Sequence, residues 1–172
     1  MKKHRRRIGG AVAAMAALVA LAVAGTVLAT SQIGVTTTAL TPTTGTSFGE
    51  IDVNTHTIPA DTWQLREKTK GLSDGYVVDN KIAPGGTTGW HMHPGPSLIF
   101  VINRTVTDYE GDDPTCTGHP YSAGQGFVDS GEGAHTLRNE GSVQAETIAV
   151  QLVPAGSPRK IDVTPGPGNC PF

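Results

Sequence analysis

Residues 85–100 read GGTTGWHMHPGPSLIF. His91 and His93 stand one residue apart, and a Pro-Gly-Pro turn then leads through Ser97 into an apolar run at 98–102. Side chains alternate across a strand, so both imidazoles point one way, with Trp90 and Met92 on the opposite face. At ~3.3 Å per residue their Cα atoms lie roughly 6–7 Å apart, close enough for the rings to converge on one ion. Taken alone, the pair is equally at home as polar strand surface. Its surroundings decide the reading.

Those surroundings are β throughout. Short β-prone segments (EIDVN, DGYVVDNKI, TGWHMH, SLIFVINRTVTDY, GQGFVD, AHTLRN, ETIAVQLV) alternate with Gly- and Pro-rich punctuation such as APGG, HPGP, DDPT and SAGQG. Seven or eight short strands with regular turns predict an all-β sandwich or barrel of antiparallel strands. No stretch after residue 30 sustains a helical period. ADTWQLREKTKG (60–71) fits one short helix or another strand. The run at 98–102 is apolar on both alternating faces, which predicts a strand covered on both sides, within a sandwich or at a subunit contact.

Ahead of this domain lie two other segments. Lys2, Lys3, Arg5, Arg6 and Arg7 form a basic head, followed from Ile8 to Ala29 by 22 uncharged residues. This is the layout of an export signal, with small-residue cleavage patterns before Gly25 and before Thr30. The alternative is an uncleaved membrane anchor helix, since about 20 apolar residues span a bilayer. Nine Ala and three Gly make the segment weakly lipophilic. Residues 1–29 are thus read as signal peptide or anchor, and either places the remainder outside the cytoplasm. Residues 30–47, rich in Thr, Ser, Gly and Pro, read as a flexible linker with little apolar surface to offset ordering entropy. The globular domain is expected over 48–172.

Charge and cysteines narrow the partners. The chain carries a formal charge of −2, and the basic head holds five positive charges, so the exported part is near −7. No basic patch survives there, which argues against nucleic acid. Membrane contact is expected only through the N-terminal segment. The two cysteines, Cys116 and Cys170, both fall in the exported part, where an oxidising compartment predicts a single disulfide.

The histidine stretch has a second half. GQGFVDSGEGAHTLRN (124–139) contains Gly124, His135 and Asn139, as GGTTGWHMH contains Gly85, His91 and His93. At these spacings the chain resembles the cupin superfamily, whose two motifs place Gly, His-x-His and Glu in one segment and Gly, Pro-x-Gly, His and Asn in the other. The match is incomplete. Ser97 stands where the family has Glu, Ser130 where it has Pro, and Glu132 where it has Gly. The resemblance implies a single cupin-type antiparallel jelly-roll barrel in which His91, His93 and His135 ligate a divalent metal. Three neutral imidazoles suit Fe, Mn, Co, Ni, Cu or Zn and leave positions open for water or substrate. The alternative is a barrel that has lost its ion and keeps the histidines as polar lining. Without the Glu, a divalent ion keeps its full double charge and favours an anionic or chelating ligand. Ser97 is a candidate for a hydrogen bond to bound water or substrate oxygen. Glu132, in a Gly-Glu-Gly turn, reads as a solvated loop tip.

Two functions follow. One is an exported metal-dependent oxidoreductase of dioxygenase-like type acting on a small molecule, because some cupins resembling this arrangement use three histidines without the Glu. The other is a non-catalytic ligand-binding or sensory module of the cell envelope. No catalytic residue is assigned. His119 reads as a surface-loop histidine, His56 as exposed, and Asp112 and Asp113 as turn chemistry. Asn139 is expected to pin a turn, and the apolar run at 98–102 permits a homodimer.

Overall fold

The structure is a computed structural model that describes residues 31–56 and 63–172. The signal or anchor helix expected within 1–29 lies outside the described residues. Among the described residues there is no helix, and so none long and apolar enough to cross a membrane.

The fold is built around one long strand, β5 (Ser73–Thr87). Preceding it are β1 (Ile33–Ala39), β2 (Thr46–Phe48) and the hairpin of β3 (Asp52–His56) with β4 (Gln64–Lys68). Following it are β6 (His91–Met92), β7 (Ser97–Asn103), β8 (Thr105–Glu110), β9 (His119–Ser122) and β10 (Gly126–Asp129). The chain ends with β11 (His135–Arg138), β12 (Ala145–Pro154) and β13 (Ile161–Asp162). One side of the barrel runs β10-β7-β12-β5, with β1 and β2 also paired to β5. The other runs β9-β8-β11-β6-β13 and joins the first where Arg138 pairs with Thr87. Every pairing is antiparallel, as an all-β jelly roll requires.

Period-two patterning sets the inside of this barrel. In β12, Ala145, Thr147, Ala149, Gln151 and Val153 are buried, and their neighbours are not. The same alternation buries Ile99 and Val101 in β7. Val78, Ile82, Ile99, Val101, Ala145 and Ala149 from one side meet Val106 and Leu137 from the other in one apolar cluster. Fully burying a Val, Leu or Ile side chain stabilises by about 1.5–3 kcal/mol, so this cluster locks the two sides together. It fills one part of the interior and leaves the rest to polar side chains.

Three expectations are corrected or resolved. Residues 30–47 are not a flexible spacer, because β1 pairs with β5 from Ile33↔Thr87 to Ala39↔Val78 and β2 pairs at Ser73–Gly75. Thr is β-branched and suits a strand, and an edge strand is held by its ladder rather than by burial. β1 is accordingly mostly exposed, while Val35 packs against the core and Thr37 donates to Asn80 Oδ1 at 2.7 Å. The folded domain therefore begins by residue 33. Of residues 60–71, Gln64–Lys68 form a strand paired to Asp52–His56. The outer face of β7 is uncovered among the described residues: Leu98, Phe100 and Ile102 are about half exposed. The strand's apolar character on that side is therefore not explained by packing within the barrel.

Where β5 passes between the two sides, it bends at Pro84-Gly85-Gly86. Gly85 has φ +70°, a region that side chains rarely adopt. Asn139 clamps this bend and is 1% exposed. Its Nδ2 donates to Ile82 O (2.8 Å) and Val143 O (2.9 Å), and its Oδ1 accepts from Gly141 N–H at 3.0 Å. Its backbone also bonds Gly85 and Gly86. Asn139→Ala strands two carbonyls in a buried site and is expected to cost about 3 kcal/mol, measured as a lowered denaturation midpoint. A loss under about 1 kcal/mol would show that the clamp is dispensable.

Candidate metal centre

β6 and β11 bring the histidines together. His135 opens β11 directly opposite His91 in β6, and His93 follows β6 by one residue. All three are buried, at 5%, 7% and 1% exposure for His91, His93 and His135. Ring centroids are 4.8 Å apart for His91 and His93, 4.5 Å for His91 and His135, and 5.6 Å for His93 and His135. One ring nitrogen from each lies within 4.8 Å of the others. Segments more than 40 residues apart thus meet at one interior point.

Each ring is oriented through Nδ1. His91 Nδ1 lies 2.7 Å from Gly89 O, His93 Nδ1 2.6 Å from Arg159 O, and His135 Nδ1 3.1 Å from Asp108 Oδ1. Carbonyls and carboxylates only accept, so for His91 and His135 these partners favour the proton on Nδ1 and a lone pair on Nε2. That is how ligating histidines are commonly oriented. His93 Nδ1, by contrast, also has an amide donor, Gln151 Nε2, at 2.9 Å. Burial and the neighbouring His135 push the His91 pKa down to about 2, and burial lowers that of His93. Both are neutral and able to ligate. Burial works against a charge on His135 too, yet its hydrogen bond to Asp108 and the charges of Asp108, Asp129 and Glu110 raise its pKa.

Ser97, buried without exposure, points inward but touches Gln151 rather than the ring nitrogens. Gln151 Nε2 lies 2.9 Å from His93 Nδ1 and donates to Ser97 Oγ at 3.0 Å. Glu132 is exposed at its loop tip, and His119 is exposed, though in β9 rather than a loop. Cys116 and Cys170 form a disulfide.

Two neighbours of the site escaped the sequence reading. The Arg159 carbonyl is a backbone group with no sequence signature. Asp129 had one: Phe127 packs against the core, so Asp129, two residues on, shares its inward face. Its side chain is 9% exposed, and its Oδ2 lies 3.5 Å from His93 Nε2 and 3.4 Å from His135 Nε2. Asp129 Oδ2 and His135 Nε2 are both buried without a hydrogen-bond partner. Orphaned buried groups of this kind call for an explanation, and a cation between them supplies one. The donor set therefore fits a divalent metal.

Beside the histidines lies a cavity of about 30 Å³, walled by Ile99, Leu137 and Ala149, with Arg159 and Lys160 also on its lining. That volume holds about one or two waters.

No family model matches the chain, and no curated protein does. Solved structures resemble it in part. The polyketide cyclase RemF from Streptomyces resistomycificus aligns with a TM-score of 0.45 at 15% identity, over 52% of this chain and 60% of its own. An oxalate oxidase aligns with a TM-score of 0.44 at 21% identity, over 52% of this chain and 46% of its own. A Cupin_2 domain of an XRE family transcriptional regulator from Enterobacter cloacae gives 0.43 at 13% identity, over 74% of this chain and all of its own. The chain thus spans less than two thirds of the cyclase and oxidase chains. Strand order and a histidine triad drawn from two motifs characterise the architecture. It is an antiparallel jelly-roll barrel, the fold that the resemblance to cupins implies. In this chain the position that the resemblance assigns to Glu is Ser97, and a carboxylate beside the Nε2 atoms of His93 and His135 comes from another strand, as Asp129 of β10.

Proposed function

We propose that this chain is an exported cupin that binds a divalent transition metal through His91, His93 and His135 and uses it as a small-molecule oxidoreductase of dioxygenase-like type. The observation that carries the reading is that one ring nitrogen from each of three buried histidines lies within 4.8 Å of the others, while every Nδ1 sits beside a carbonyl or carboxylate oxygen. A redox-active ion held there supplies Lewis acidity and electron transfer. The protein's part is to fix the ligands, to exclude bulk water with Ile99, Leu137 and Ala149, and to offer positive charge from Arg159 and Lys160 to an anionic substrate. Export is supported by the disulfide and by the basic head with its uncharged sequel at 8–29.

A second reading, a non-catalytic metal- or ligand-binding module of the cell envelope, draws on the cavity's size. About 30 Å³ admits water or a diatomic molecule and no organic substrate unless the mouth opens. Metal analysis of untagged protein, followed by oxygen-uptake assays with thiols, diketones and phenolics, separates the two. Stoichiometric redox metal with turnover supports the enzyme, and metal without turnover supports the module. Protein that retains no metal after incubation with Fe(II), Mn(II), Ni(II), Cu(II) and Zn(II) refutes the enzyme and any metal-binding module, and leaves only a module for a metal-free ligand.

A further inference from the structure

We propose that Asp129 is a fourth protein ligand to the ion, supplying from β10 the carboxylate missing at position 97; this rests on the metal-binding reading above. Asp129 pairs directly with Ser97 across β10 and β7, and Ser97 pairs with Gln151 across β7 and β12. Directly opposed residues project to the same face, with Cβ atoms about 4.5–5.5 Å apart. A carboxylate at 129 therefore enters the same interior region as one at 97.

The polar contacts of Asp129 are unequal. Oδ1 accepts from the Gly131 N–H at 2.9 Å, which fixes the plane of the carboxylate. Gly131 holds φ +86° with its Cα packed on the His93 and Gly95 carbonyls, where an added Cβ would sit 2.7 and 2.5 Å from those oxygens. The turn that orients Asp129 is thereby pressed against the His93 segment. Oδ2 has no hydrogen-bond partner and faces the Nε2 atoms of His93 and His135.

Neither contact is a hydrogen bond, since Asp129 Oδ2 and His135 Nε2 are both left without a partner. His93 Nε2 and the Asp129 carboxylate oxygen stand 3.5 Å apart. A cation held between carboxylate and rings satisfies the orphaned atoms on both sides. Two donors each about 2.1 Å from one ion, at a tetrahedral angle, lie about 3.4 Å apart. The separations of 3.5 and 3.4 Å match that edge. Asp129 would halve the net charge of the divalent site, so the centre has less need of an anionic exogenous ligand than three histidines alone imply.

The test compares wild type, Asp129→Asn and Asp129→Glu by titration calorimetry with Zn(II) and by the visible absorption spectrum of Co(II)-loaded protein. Asn keeps the acceptor for Gly131 and nearly the same shape, so the fold survives. Loss of an outer-sphere partner alone typically costs about 10–100-fold in affinity, and loss of a direct ligand is expected to cost at least about 100-fold. Glu, with the charge kept and the oxygen displaced by one methylene, is expected to shift the Co(II) bands. Unchanged affinity in Asp129→Asn, or an unchanged Co(II) spectrum in both variants, overturns the assignment while leaving the three-histidine site standing. Wild type that binds neither ion removes the metal reading itself, and the fourth ligand with it.

Discussion

His91→Ala is expected to lose tight metal binding while remaining folded. Four-ligand structural zinc sites gain about 10–16 kcal/mol from the ion, so one ligand carries on the order of 3 kcal/mol, or about a hundred- to a thousandfold in affinity. His91 is the informative member of the triad because it is uncharged, its pKa held down to about 2 by burial and by His135. Its removal frees only the Gly89 carbonyl. His135 is a worse choice, since it separates Asp108 from Asp129 and its loss would bring two buried carboxylates face to face. The metal-free His91→Ala protein should lose about 1–2 kcal/mol from the vacated ring volume. A ligand at a hundred times its dissociation constant stabilises a fold by about 2.7 kcal/mol, so wild type should show a clear rise in melting temperature with metal and the variant none. Calorimetric affinity within threefold of wild type would mean that His91 does not touch the ion.

Asp108→Asn probes the next layer out. It keeps a side chain of the same shape beside His135 Nδ1 and removes the charge that helps orient and polarise that ring. An outer-sphere change of this kind is expected to weaken metal binding about 10–100-fold, with the fold and the other two ligands intact. An effect as large as that of His91→Ala would indicate that the whole cluster had rearranged.

What the sequence made readable, and what it concealed, divides along a physical line. His91, His93, His135 and Asn139 are legible because fixed spacing within each segment survives into local geometry. The alternation of β12 and β7 likewise writes the barrel's inside and outside into the chain. The relation of Asp129 to Ser97 depends on how β10 registers against β7, a contact between strands that no single segment encodes. β1 was concealed for a different reason. Composition is a sum over side chains, whereas an edge strand is held by backbone groups common to every residue except proline. A Thr-rich segment can therefore look like a linker and still pair with β5 from end to end.

The disulfide joins stability to the site. Cys116 and Cys170 are 54 residues apart, and closing such a loop stabilises the fold by about 4 kcal/mol in the chain-entropy model. The bond secures a terminal segment that also has other holds. Asn169 Nδ2 donates to Glu110 O (2.8 Å) and Asp113 O (2.6 Å), and Arg138 lies 3.9 Å over the Phe172 ring, which stacks beside Trp90. Ahead of that segment, β13 pairs with β6, and Arg159 holds His93 Nδ1 through its carbonyl. Replacing both cysteines by Ser is therefore expected to do two things. The denaturation midpoint should fall by an amount equivalent to about 4 kcal/mol, a large share of the 5–15 kcal/mol typical of a domain. Where the fold persists, metal affinity should fall by about 10–100-fold, because freeing the terminal segment loosens the carbonyl that orients His93. The second effect identifies the coupling. A double-Ser protein that is destabilised yet binds metal as tightly as wild type would show that the β13–β6 pairing alone holds Arg159 in place.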